Sequence, residues 1–150
     1  MSTIINTIQD ICADQLGLPF LYESVSMANV KLDRQKDFPV AILMTVTDWV
    51  VDNSIGNMKE VANIRLFFLN RTSDRPTIDY DAAATQELVD ICKNYAVNFI
   101  NEVNLSKTVT FVSNQINLTT IVDYDDANVC GVMLQGQLKE LKGECLPIIP

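Results

Sequence analysis

The feature that most constrains the fold is a long segment in which apolar residues alternate. From residue 40 to residue 46 every second side chain is a heavy apolar one, which predicts a β-strand with one buried face. After Asp48 the heavy apolar residues move to odd positions, at Trp49 and Val51. This change of phase predicts either a β-bulge or a strand that passes from one packing surface to another.

A hairpin built on this segment is long for a domain of this size. Residues 52–59, which include Gly56, predict its loop, and residues 61–69 predict the return strand. Fully extended, residues 38–51 span about 45 Å at about 3.3 Å per residue. A chain of 150 residues folds into a globule about 40 Å across. The hairpin therefore either projects from the domain or bends over its core.

Apolar side chains near the hairpin loop favour an interaction surface, because a projecting hairpin leaves them in water unless another polypeptide covers them. We therefore predict a subunit interface formed by Trp49, Val50, Val51, Ile55 and Met58. Arg65 lies between apolar neighbours on the return strand. It predicts either an ion pair at this interface or a cation on the solvent face.

Two amphipathic helices are expected. Residues 3–16 carry apolar side chains at helical spacing, and Gly17 followed by Pro19 predicts the end of this helix. The strongest helical pattern covers residues 80–104. Its apolar stripe predicts a long helix lying across one face of a sheet, and consists of Ala84, Leu88, Ile91, Cys92, Tyr95, Phe99 and Val103.

The remaining elements complete an α+β layout. Strands are predicted at residues 20–23, 29–32, within 107–122 with a bend near Asn114, and at 129–138. The order predicts a mainly antiparallel sheet with a long hairpin, packed against the two helices. We expect residues 1–142 to form a single domain. Residues 143–150 predict an extended apolar arm that docks on a partner through Leu146, Ile148 and Ile149.

The charge balance bears on the class of partner. The chain carries 11 basic and 19 acidic residues, a formal net charge of −8. Phosphate neutralisation supplies most nucleic-acid affinity, and no cluster of Lys and Arg stands out, so we expect no specific nucleic-acid binding. We also expect no export signal and no membrane span, because no apolar run approaches about 18 residues.

The residue types needed for common catalytic chemistry are missing. The chain has no histidine, which removes the commonest general base and the commonest metal ligand. We therefore predict a protein that is not an enzyme and has no cofactor and no metal. Buried reduced thiols are favoured over a zinc site, because no two of the cysteines are close in sequence among Cys12, Cys92, Cys130 and Cys145.

The densest acidic group is formed by Asp123, Asp125 and Asp126. Carboxylates of this kind can hold Ca²⁺ or Mg²⁺, but the glycine and the distal glutamate of an EF-hand loop are lacking. A solvated turn is the favoured interpretation.

The element order resembles the small neck and tail-terminator ring proteins of tailed bacteriophages. The resemblance is carried by IINTIQDICADQLGLPF (residues 4–20), by FPVAILMTVTDWVVDNSIGNMKEVANIRLFFLN (38–70) and by DYDAAATQELVDICKNYAVNFINEV (79–103). The resemblance consists of the order of the elements and the hydrophobic pattern over most of the chain, and it includes no invariant motif. The apolar arm at 143–150 has no counterpart in the family pattern.

The resemblance implies a non-enzymatic virion protein, assembled in the host cytoplasm. Six or twelve copies would form a ring that joins portal to tail around the DNA channel, in contact with other neck, portal and tail proteins. DNA would pass through without specific binding, and the acidic residues Asp123, Asp125 and Asp126 are candidates for the channel wall. The alternative hypothesis is a small ligand-binding α+β module with an apolar pocket between the sheet and the long helix.

Overall fold

The computed structural model describes residues 3–24, 27, 28, 31, 35, 37–54, 57–71, 82–122 and 129–141. Over these ranges the chain has an α+β fold, with one seven-stranded sheet and two helical segments, residues 3–15 and 82–105, packed on one of its faces. In chain order the elements are α1 (Thr3–Asp10), a π-helical turn (Ile11–Gln15), β1 (Phe20–Glu23), β2 (Val40–Met44), β3 (Trp49–Ser54), β4 (Asn57–Arg71), α2 (Ala82–Leu105), β5 (Val109–Phe111), β6 (Asn117–Val122) and β7 (Val129–Glu140).

Two long strands, β4 and β7, form the centre of the sheet. They pair antiparallel from Val61↔Lys139 to Arg71↔Val129. The other edge of β4 is shared by β2 and β3, and the other edge of β7 is shared by β5 and β6. β1 continues the sheet beyond β2 and pairs with it in parallel, whereas every other pairing is antiparallel. The predicted fold class, a mainly antiparallel α+β sheet with a long hairpin, is confirmed.

The larger core lies between the helices and one face of the sheet, called here the helix side. Because side chains alternate along a strand, the even-numbered residues of β4 from Ala62 to Phe68 all point to this face. Phe68 and Phe99 of α2 are both fully buried, with ring centroids 6.0 Å apart. The stripe Val89, Cys92, Ala96, Phe99 and Val103 holds α2 against the sheet.

A smaller core covers half of the opposite face, called here the far side. Val40, Ile42 and Met44 of β2 pack there beside Phe67 and Leu69 of β4. The segment between β1 and β2 contributes Ala28 and Phe38 to this cluster. Both faces of the sheet are therefore buried where β2 pairs with β4.

Several predicted elements differ in detail. The first helix was predicted to reach residue 16 and ends at Gln15. Its last turn is π-helical, since the Leu16 N–H donates to the Ile11 carbonyl at 2.9 Å. Gly17 ends it with φ +66°, the left-handed conformation expected at a helix end. Lys31, the one described residue of the predicted strand 29–32, is helical. Ile91 was assigned to the buried stripe of α2, yet its side chain is 43% exposed.

Candidate interaction surface

The strand predicted to extend to Val51, with a bulge or a change of packing surface near Asp48, is interrupted at residues 45–48. Leu43 pairs with Leu66 and Trp49 with Ala62, so residues 44–48 lie opposite residues 63–65 of β4. The chain here carries two more residues than β4 does. Because the excess is an even number of residues, odd-numbered side chains point to the same face of the sheet before and after it. The change of phase in the sequence therefore reflects a change in which face receives the heavy apolar side chains: Ile42 faces the far side and Trp49 faces the helix side.

Hydrogen bonds hold the interruption in place. The Thr45 N–H donates to the Glu23 carbonyl at 3.0 Å, and the Val46 N–H donates to the Tyr22 hydroxyl at 3.3 Å. Val46 itself is buried in the helix-side core. The Asn63 N–H then donates to the Asp48 carbonyl at 3.3 Å, which returns the chain to β4. These hydrogen bonds fix the conformation of residues 45–48, and that conformation directs β3 away from the core.

The β3–β4 hairpin (residues 49–54 and 57–62) projects from the end of the sheet. The last β4–β7 pair is Val61↔Lys139, so the four residues 57–60 extend past β7, a reach of about 13 Å at about 3.3 Å per residue. β3 pairs with β4 along one edge, and no other described strand pairs with it. The hairpin therefore carries an edge strand of the kind that other chains can pair with.

Apolar side chains are exposed on both faces of this hairpin. On the helix side Trp49 is 39% and Val51 55% exposed, with Met58 half-buried beside them. On the far side Val50 is 51% exposed. Its neighbours there are Asp52 and Lys59, which pair directly across the two strands. The hairpin buries Val61 and Ala62 at its base, but among its described residues nearer the loop neither face is buried.

Two polar contacts attach the hairpin to β7. The Lys139 Nζ lies 2.7 Å from the Asp52 Oδ2. The buried carboxylate of Glu140 accepts a hydrogen bond from the Glu60 N–H at 2.8 Å. The second contact gives a hydrogen-bond acceptor to the Glu60 amide, which lies directly beyond Val61, the last residue of β4 that pairs with β7. Both contacts restrict the base of the hairpin and leave its apolar side chains uncovered.

Arg65 lies apart from this surface, in a polar groove on the far side. The groove has a volume of about 560 Å³, and Arg65↔Gln135 and Asn63↔Gln137 are direct cross-strand pairs on its floor. Sequence analysis missed the groove. The signal was present, because polar residues occupy alternate positions of both central strands. The lining consists of Met44, Thr45, Thr47, Asp48, Asn63, Ile64, Arg65, Ser113, Gln115, Asn117, Gln135, Gly136 and Gln137.

The structure thus brings together four of the predicted interface residues, Trp49, Val50, Val51 and Met58, and separates Arg65 from them. Met58 lies within β4 rather than in the predicted loop. The other predicted residues lie outside the described ranges. They are Ile55 of the hairpin loop, Asp123, Asp125 and Asp126 of the acidic turn, and Leu146, Ile148 and Ile149 of the apolar arm.

The described cysteines are buried in the core. Burial raises the pKa of the Cys12 thiol well above its ordinary value. Burial and then the neighbouring Cys130 raise the pKa of Cys92 to about 12. Thiols of this kind are poor nucleophiles at neutral pH, because the reactive thiolate is almost absent. Within the described ranges, no group of three or more Cys, Asp or Glu side chains is placed to hold a metal ion.

No protein-family model matches the chain, and no curated protein matches it. In the part of the chain that the structure describes, no helix combines the length and the hydropathy needed to cross a bilayer.

Proposed function

We propose that this chain is a non-enzymatic virion protein that assembles into a ring of six or twelve copies at the head–tail junction of a tailed phage. In this role it joins the portal to the tail around the DNA channel and contacts the neighbouring neck, portal and tail proteins. The proposal rests on the resemblance in element order and on the exposed hairpin.

The observation that carries the proposal is the apolar surface of the hairpin. Trp49, Val50 and Val51 are each more than a third exposed, on a hairpin that extends past the sheet. Burial of apolar area contributes about 25 cal/mol per Å², so covering these side chains stabilises an assembly. Self-assembly with one repeated contact closes into a ring when the rotation between copies allows it.

The charge of the chain is compatible with a DNA conduit. A formal net charge of −8 repels a polyanion at short range, so DNA inside a ring would not adhere to the wall. Retarded migration of DNA by the assembled protein at physiological salt would contradict this part of the proposal.

The central test is the mass of the protein in solution. Light scattering after size exclusion, with negative-stain images of the peak, should show rings forming as concentration rises. Trp49→Asp should keep the far-UV circular dichroism and the unfolding midpoint but raise the concentration needed for assembly by about tenfold or more, since a charge would be buried without a partner. A wild-type chain that remains monomeric over its whole soluble range contradicts the proposal.

A matched control separates the hairpin from the rest of the sheet. Thr119→Asp adds the same charge to an exposed position of β6, away from the hairpin. It should leave the assembly midpoint where it is. Equal effects of the two substitutions would mean that net charge, and not the Trp49 surface, governs association.

The polar groove favours one second candidate, a module that binds a small polar ligand. The space between sheet and long helix, where the alternative hypothesis places an apolar pocket, holds the fully buried side chains of Phe68, Phe99 and Leu134. The groove on the far side has a volume of about 560 Å³, within the usual range of about 300–1,000 Å³ for ligand sites. A monomer whose melting temperature rises with a ligand, and does so less in Arg65→Ala, would favour this candidate.

A further inference from the structure

A ring needs two unlike surfaces on each copy, because every subunit presents one surface to the next copy and the other to the previous copy. The hairpin supplies one of them. We infer that the second is the outer face of the C-terminal half of α2, residues 94–105, which receives the helix-side face of the hairpin of a neighbouring copy. This inference rests on the proposed function and names the partner surface of the same contact.

The outer face of α2 changes character halfway along the helix. Its first half exposes Glu87, Asp90 and Lys93, as a solvated helix face does. From residue 94 to residue 105 the one charged residue, Glu102, is half-buried, and the exposed side chains are all uncharged: Asn94, Val97, Asn98, Asn101, Asn104 and Leu105. Charged residues are depleted at the centre of protein interfaces, so this half fits a surface that another chain covers.

The composition of this face is unfavourable for an isolated helix. Asparagine is among the weaker helix formers, yet it occupies four of the exposed positions between 94 and 105. Leu105 is 75% and Val97 42% exposed. A face that only met water would gain helix propensity and solubility from Glu or Lys at these positions. Asparagine amides instead donate and accept hydrogen bonds without bringing a charge into a contact.

The two surfaces match in length. Eight residues separate Val97 from Leu105, about 12 Å at about 1.5 Å per residue along a helix. The hairpin extends past β7 by about 13 Å at about 3.3 Å per residue of strand. The hairpin can therefore lie along the helix with Val51 and Met58 against the Val97–Leu105 stripe.

The two surfaces also match in charge. Glu60 is the direct cross-strand partner of Val51 on the helix side of the hairpin. Lys93 lies one helical turn before Val97 and on the same face. No described ion pair includes either Glu60 or Lys93. Seating Val51 on Val97 brings these two opposite charges to the same end of the contact.

Cysteine cross-linking tests the docking directly. In a Cys145→Ser background the described cysteines are buried, so introduced thiols report on the surface. An equimolar mixture of Val51→Cys and Val97→Cys chains should form covalent dimers under mild oxidation, while each chain alone should not. The double variant should form a ladder that stops at the copy number of the ring.

A different cross-linking pattern would overturn the inference. If Val51→Cys alone forms dimers and the mixture adds nothing, the hairpins meet each other around a two-fold axis and α2 is not the acceptor. Rings that persist without any Val51–Val97 cross-link would likewise refute the docking while leaving the proposed function in place. A chain that never assembles would instead remove the proposed function and this contact together.

Charge reversal gives an independent test that does not need new thiols. Glu60→Lys and Lys93→Glu should each weaken assembly by about tenfold or more through like-charge contact, and the combined variant should recover most of the loss. Lys59→Glu, on the opposite face of the hairpin, is the matched control and should change assembly little. A combined variant as weak as the single ones would contradict the pairing of Glu60 with Lys93.

Discussion

The two ends of β4 belong to one unbroken strand but lie in opposite environments. At the C-terminal end, Phe67, Phe68 and Leu69 are all buried, because one layer covers each face of the sheet. At the N-terminal end, Met58, Lys59 and Glu60 are only half-buried, and the strand has passed the end of β7. Strand pairing is continuous along β4, whereas packing is not.

This difference shows that backbone pairing can carry a strand further than the core of its own subunit can follow. A two-stranded ribbon without a packed face is marginal in water, so the hairpin depends on its base for support. The buried end is under the packing constraints of a protein interior. The exposed end keeps apolar residues for which the core of the domain gives no reason, whereas the proposed assembly contact would give one.

The largest effect on stability is expected from a substitution at the buried end of β4. Phe68→Ala removes a fully buried ring that packs against Phe99 and should lower the free energy of unfolding by about 3–5 kcal/mol. Trp49→Ala, the matched aromatic truncation at the exposed end, should cost about 1 kcal/mol or less. Urea unfolding at low protein concentration measures both. Similar losses would mean that Trp49 is a core residue.

A smaller effect is expected from adding one methyl group to β7 at two positions along the same strand. A Cβ at Gly131 would lie 1.9 Å from the carbonyl oxygen of Phe68, which is backbone and cannot move aside. Gly131→Ala should therefore destabilise by about 3 kcal/mol. At Gly136 the nearest atom is a ring carbon of Phe111 at 3.3 Å, and a side chain can shift. Gly136→Ala should stay within about 1 kcal/mol of wild type, and equal losses would contradict this account.

Much of the buried half could be predicted from sequence because its signals are periodic. The alternation at residues 40–44 and the helical stripe within residues 80–104 each report which side chains share a face, and the structure has a strand at Val40–Met44 and a helix at Ala82–Leu105. Val46 continues the alternation in sequence but packs on the opposite face. Periodicity does not report which layer a face meets. The pattern therefore predicted a change at Asp48 without showing that two extra residues interrupt the strand, and it placed Ile91 inside.

The candidate site was harder to predict for the same reason. Trp49, Val50 and Val51 could be singled out because a long apolar ribbon exceeds the size of the domain. The matching face of α2 was missed because Asn94, Val97 and Leu105 are individually ordinary surface residues. The signal lies in their position on one face whose exposed side chains carry no charge. To see it one must know which face of α2 packs on the sheet.

The smallest effect is expected at the boundary between the two ends of β4, where Lys139 contacts Asp52. Their side chains are 32% and 41% exposed, so solvent screens the pair and Lys139→Ala should cost less than about 1 kcal/mol of global stability. The hairpin alone should respond, with faster hydrogen exchange of the amides at residues 57–60 in mass spectrometry. Lys107→Ala, at an exposed position between α2 and β5, should leave that exchange unchanged. High salt should reduce the difference between wild type and Lys139→Ala. If Lys139→Ala lowers the global free energy of unfolding as much as it lowers the free energy of local opening at residues 57–60, the two ends of β4 unfold as one unit. The division between a packed end and an independently moving end would then be wrong.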